Sequence, residues 1–202
     1  MSVSGGLQLP LGDLVDFLPA RSTASDGDVL VQVVTSGYLS PLAFDPTGVV
    51  TNRMWSSDLE VARLRPGEVL VARSNTADLV GQCSIYEGDP PEVYAADLTI
   101  RLLVKEGLDP RYLAHFLSHQ WSIGYWKERA AGASWTMKKI SRRLLKPLMI
   151  PVPADGEQRR VVDRLALLAD RDRALSMALL KSKASVDVLP AAVLRRALCG
   201  GS

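Results

Sequence analysis

Nine positions, Val161, Leu165, Leu168, Asp172, Leu175, Leu179, Ser182, Val186 and Leu189, follow one another in alternating steps of four and three, and seven of the nine are apolar. Such a seam is the heptad signature of a helix that packs along another helix. Asp172 and Ser182 are its polar breaks. The helix is expected from about Gly156 to Leu189, a rod of about 50 Å. A domain built from the rest of the chain is narrower than that, so much of the seam is expected to lack cover within its own fold. Asp155 followed by Gln158 forms a capping-box pattern at its start. Pro190 is expected to bend or restart the chain before "AAVLRRALCG", a last short helix ending at Gly200.

What precedes this helix reads as a mixed domain. "DVLVQVVTSGYL" (Asp28 to Leu39), "GVVT" from Gly48, "LRPGEVLVAR" (Leu64 to Arg73), "LVGQCSIYEG" and "VYAADLTIRLLV" are short strand-like runs closed by turn residues. The continuous apolar run after Pro66-Gly67 is the pattern of a strand buried on both faces. From Leu108 the character changes: Asp109 is an N-cap candidate, Pro110 sits at the first helical position, and apolar residues recur at helical spacing, with Gly124 as an interruption. A short turn of helix in "ISRRLL" then leads into a strand, Leu148 to Val152. The expected fold class is α+β: a small irregular β-rich domain with flanking helices over residues 1–153, then a helical region over 154–202 that pairs with a partner helix.

Composition bounds the function. No apolar run approaches the roughly 20 residues that span a bilayer. Met1 to Leu9 is polar and glycine-rich, so no secretory signal is expected, and two widely separated cysteines, Cys83 and Cys199, fit a reducing compartment. The chain reads as cytoplasmic. Its net charge of +2 conceals an asymmetry: −8 from Met1 to Ile100, +7 from Arg101 to Arg164 and +3 from Leu165 onward. A basic second half is suited to a polyanion, and equally to helices with solvated basic faces.

Catalytic patterns are missing from the sequence. "GDPPEVY" resembles the Asp-Pro-Pro-aromatic signature of amino-methyltransferases, but Glu92 stands in the aromatic position and no glycine-rich cofactor loop accompanies it; a Pro-Pro turn before a strand is the better reading. No lysine has an acidic residue two positions before it, as a metal-dependent nuclease strand requires. His115 and His119, the only histidines, share a helical face but have no third metal ligand at a familiar spacing. Neither a Gly-x-Ser-x-Gly elbow nor a nucleotide-binding Gly-x-x-x-x-Gly-Lys loop occurs. No catalytic residue, metal or cofactor is expected.

Binding residues are easier to find. Arg73, Ser74 and Asn75 directly follow the buried strand, where a rigid scaffold presents a loop. Arginine pairs with guanine O6 and N7, and asparagine with adenine N6 and N7, so this loop suits base edges; an ordinary turn accounts for it equally well. "GASWTMKKISRR" offers Ser134, Thr136, Lys138, Lys139, Arg142 and Arg143, the hydroxyls and cations that commonly contact phosphates. Trp135 reads best as a core or rim residue, with base stacking as the alternative.

Taken in order, "LRPGEVLVAR", Gly81, "ADLTIRL", "LDPRYLAHFLSHQ", "AGASWTMKKISRRLLKPLMIPVPADGEQRRVVDRLALL" and "AAVLRRALCG" resemble one target-recognition domain and spacer helix of a type I restriction–modification specificity (S) subunit. The resemblance covers Leu64 to Gly200. Its most specific part is an apolar strand, "PVP" and then "EQRRVV", with "ADG" where the family usually has apolar residues. The resemblance implies a non-catalytic subunit that reads double-stranded DNA and directs a methyltransferase subunit and, through it, a translocase-nuclease. Family members carry two recognition domains held apart by two antiparallel helices, each reading half of a bipartite site. This chain has room for one of each. Its seam (Val161, Leu165, Leu168, Leu175, Leu179, Val186 and Leu189) is then expected to pair in a twofold homodimer that reads a palindromic site. Two other readings remain: an assembly scaffold with little base reading of its own, and a small enzyme with an unrecognised site.

Overall fold

The computed structural model describes residues 7–35, 39, 48–132 and 136–199, with side chains for all of these except 173 and 181–199. The chain divides into two compact units, Met1–Val162 and Asp163–Ser202.

The first unit is built on a four-stranded antiparallel sheet in the order β2 (Val15–Phe17), β9 (Thr99–Val104), β5 (Val69–Ala72), β7 (Cys83–Ile85). All four residues of β5 are buried, as its continuous apolar run predicts. Alternation sends Val69 and Val71 into one core and Leu70 and Ala72 into another. Helix α3 (Pro110–Ser122) covers the first face, with Leu113 and Leu117 fully buried. Its start follows local rules: the Asp109 carboxylate accepts from the Arg111 and Tyr112 amides, and Pro110 occupies N1. Its end does too, since Gly124 adopts a left-handed φ of 79° before the short helix α4 (Tyr125–Arg129). The second core is shared with a three-stranded sheet, β4 (Val49–Met54), β3 (Val29–Val34), β8 (Val93–Ala95), in which β3 and β8 run parallel.

"VYAADLTIRLLV", expected as one strand, is two. Thr99 donates its amide and its hydroxyl to the Ala96 carbonyl, making a turn that puts β8 and β9 in different sheets. The N-terminal elements have no local signature in the sequence. Strand β1 (Leu7–Pro10) pairs antiparallel with β11 (Met149–Val152), Leu7 opposite Val152 and Pro10 opposite Met149, and a short helix α1 (Leu11–Leu14) links it to β2.

Between the sheets lies a buried ion pair. Arg101, on β9, donates two hydrogen bonds of 2.8 Å to Glu68, and both side chains are almost wholly inaccessible. The guanidinium also donates to the Val61 and Arg63 carbonyls, while Glu68 accepts from the Arg65 amide at 3.1 Å. Every charged group is therefore matched, the condition under which a buried pair is tolerated.

Helix α6 runs from Asp155 to Cys199 as one element. The separate last helix expected after Pro190 is absent, because a proline removes one backbone hydrogen bond and a helix can continue through it. The capping box is absent as well. Gln158 is buried, and its amide oxygen accepts from the Asp109 amide at 2.7 Å while its nitrogen donates to the Gly107 and Pro153 carbonyls, both at 2.9 Å. This side chain thus satisfies backbone groups at the start of α3 and just ahead of α6, where a surface capping role would leave those groups unpaired.

Candidate nucleic-acid interface

The two stretches singled out for binding are adjacent in the folded chain. Beyond β5, Ser74–Asn75 form strand β6, which pairs antiparallel with β10 (Lys138–Lys139): Lys138 lies opposite Asn75 and Lys139 opposite Ser74. The ladder is extended by the Ile140 amide donating to the Arg73 carbonyl at 2.9 Å, and on the other edge of β10 Lys139 exchanges two backbone hydrogen bonds with Ala131. Gly132 closes this loop at φ 120°, and a Cβ there would lie 2.6 Å from the Met137 carbonyl oxygen. The Lys138 ammonium donates to the Gly132 carbonyl at 2.6 Å. Arg73 is exposed and is steadied by bonds to the backbone of Asp97 and Leu98. Asn75 accepts the Thr76 amide through its side-chain oxygen, the local role an asparagine takes in a turn. Thr136 is exposed beside the ladder, and Ser134 and Trp135 lie outside the described residues.

Arg142 and Arg143 are placed otherwise. They open helix α5 (Arg142–Leu145), capped by the Ser141 hydroxyl. The Arg142 guanidinium donates to the Phe17 and Leu18 carbonyls at the end of β2, so it joins α5 to the sheet. Arg143 is exposed and, with Lys146, lines an open groove against Gly12, Asp13 and Asp16. Lys146 is a basic residue that the sequence motifs do not include, although its spacing from Arg142 and Arg143 puts it on the same helical side. Its ammonium lies 5.7 Å from the centre of the Phe17 ring.

The side chains with reactive chemistry have structural surroundings. Burial pushes the Cys83 thiol up to about 12, opposed by its contact with the Ser118 hydroxyl, so it stays protonated and unreactive at neutral pH. Burial lowers the His115 pKa and so favours the neutral ring, against a weaker opposing effect of Asp109. Among the described residues no group of three or more His, Cys, Asp or Glu side chains is arranged to hold a metal, and no helix is long and apolar enough to cross a membrane.

On α6 the residue that joins the core is Val162, adjacent to the seam. The seam itself is open: Val161 is 37% exposed, Leu168 50%, Leu175 63% and Leu179 70%, with Leu165 half-buried. The side chains of Val186 and Leu189 lie outside the described residues.

The first unit is an α+β globule with a basic two-stranded ladder, and its "PVP" strand is followed by the long helix α6. The chain's fold is that of type I restriction–modification specificity subunits. The chain superimposes on a subunit of a type I restriction–modification system solved to explain complex assembly and conformational transition, with a TM-score of 0.68, 20% identity, and coverage of 98% of this chain and 46% of that one. It matches the HsdS subunit of Thermoanaerobacter tengcongensis with a TM-score of 0.65 and 21% identity, over 98% of this chain and 45% of that one. The S subunit of M. genitalium gives 0.57 and 14% over 88% and 43%. In sequence, 110 residues are 29% identical to a protein of Methanocaldococcus jannaschii named as a candidate type I restriction enzyme MjaX specificity subunit, covering 54% of this chain and 26% of that protein. No protein-family model matches. The chain thus spans less than half the length of the specificity subunits it matches, and the resemblance read from its sequence is upheld.

Proposed function

We propose that this chain is a non-catalytic DNA-recognition subunit of a type I restriction–modification-like system. It reads half of a bipartite site in double-stranded DNA and directs a DNA adenine methyltransferase subunit to it. The observation that carries this reading is the β6–β10 ladder, which brings Ser74 and Asn75 beside Lys138 and Lys139 from a distant part of the chain. A two-stranded ribbon fits the major groove, and flanking cations fix its register on phosphates. Reversing two exposed cations, Lys139→Glu with Arg143→Glu, is expected to weaken binding to all duplexes by at least about tenfold. The slope of log affinity against log salt is expected to fall by about 0.9 for each phosphate that is no longer neutralised. An unchanged affinity and slope would favour the scaffold reading.

The same proposal gives α6 a partner. Its seam pairs with the same helix of a second copy in a twofold homodimer, so that two recognition modules read a palindromic bipartite site. Sedimentation at tens of micromolar is expected to give twice the 21.9 kDa chain mass, and Leu168→Glu with Leu175→Glu is expected to give the single mass. A wild-type monomer under those conditions would rule the homodimer out.

A further inference from the structure

Met137 immediately precedes β10 and its side chain is exposed. A lone exposed methionine is ordinary on a protein surface. The setting of this one is not. Alternation within β10 puts Lys139 and the cross-strand Ser74 on one side and Lys138 with Asn75 on the other, and Met137 immediately precedes the strand. Met137 is 56% exposed and Lys139 is exposed, whereas Ser74, Lys138 and Asn75 are half-buried, and Lys138 and Asn75 are hydrogen-bonded within the chain. The backbone beneath Met137 is fixed from two directions, by Gly132 pressed against its carbonyl and by the Ala131–Lys139 exchange. A large apolar side chain is therefore held out, on a fixed backbone, from a surface whose neighbouring groups are a hydroxyl and an ammonium.

We infer that Met137 is a specificity-determining residue that reads a thymine by apolar contact with its 5-methyl group in the major groove. This deepens the DNA-recognition reading and rests on it. The chemistry is specific to one base: the thymine methyl is the apolar feature of the major-groove edge, and cytosine in its place presents an amine donor and no methyl. A thioether on three rotatable bonds adapts to that methyl without moving the backbone. Lys139, two residues on and exposed, supplies a cation near the contact.

The test is selection of duplexes from a randomised library by the full-length protein, carried out in parallel with Met137→Ala. The wild type is expected to enrich a consensus containing a T·A pair that the variant no longer discriminates, with the other positions, the salt slope and the melting temperature unchanged. Replacing that thymine by uracil, which removes only the methyl, is expected to lower wild-type affinity about fourfold, the effect of exposing one buried methyl, and to leave the variant unaffected. The same consensus from both proteins overturns the role of Met137 and leaves DNA recognition standing, as does an equal response of both to uracil. Loss of binding by the variant to every sequence also overturns it, since that marks a role in the fold or in phosphate contact. No enriched sequence with the wild type overturns the recognition reading and this inference together.

Discussion

Glu68→Ala is expected to destabilise the globule by about 3–5 kcal/mol, the largest loss predicted for it. The substitution leaves the Arg101 guanidinium at 3% exposure, with the Val61 and Arg63 carbonyls still accepting from it and no negative charge opposite. Arg101→Met is expected to cost as much, because it strands a carboxylate that is closed off from solvent and retains, among the described residues, the Arg65 amide as its donor. Thermal unfolding is the measurement, and a fall in melting temperature of about 10 °C is the expected scale for a protein of this size. The double replacement Glu68→Leu with Arg101→Met separates pairing from packing. It removes both charges at once and is expected to be more stable than either single variant. If the double variant instead showed the sum of the two single effects, the pair would not be the source of the stability.

Gly81→Ala is the second large effect, about 3 kcal/mol. The residue sits at φ 80°, where an L side chain is strained by roughly 1–2 kcal/mol. Its added Cβ would also lie 2.3 Å from Cδ1 of Trp126, an impossible approach. The indole cannot move aside, because Trp126 is wholly buried in the core beneath α3. Gly81 further donates its amide to the Ala72 carbonyl in the turn that returns β5 to β7, so a shift here displaces the segment carrying Ser74 and Asn75. Unfolding in denaturant is expected to show the loss. Trp126→Leu added to Gly81→Ala is expected to cost less than the sum of the two, since the smaller side chain relieves the overlap. Strict additivity would place the whole effect in the backbone.

The elements that could be read directly from the sequence are those set by neighbours in the chain. Asp109-Pro110 starts α3 because capping needs a carboxylate two and three residues before the amides it receives, and that spacing is visible in a line of text. The double burial of β5 shows as an unbroken apolar run, and the open seam of α6 shows as a period of 3.5. Elements held by distant partners were not visible. β1 reads as a loop until β11 supplies its hydrogen bonds. Gln158 fits a capping box by position and is drawn instead to unpaired backbone groups around Asp109. Arg101 and Glu68 look like ordinary surface charges, because nothing local signals that each is buried against the other.

The candidate site divides in the same way. Sequence alone determined which residue types are available for DNA, where the strands and helices carrying them begin, and that the closing helix has an apolar side in need of a partner, since these depend on composition and short-range periodicity. The tertiary structure decided that Ser74 and Asn75 meet Lys138 and Lys139 in one ladder, that Arg142 is drawn away to the carbonyls of Phe17 and Leu18, and that Met137 is left facing outward. Strand register across a long sequence gap depends on the cores being filled and the backbone groups being paired, and no local pattern encodes that.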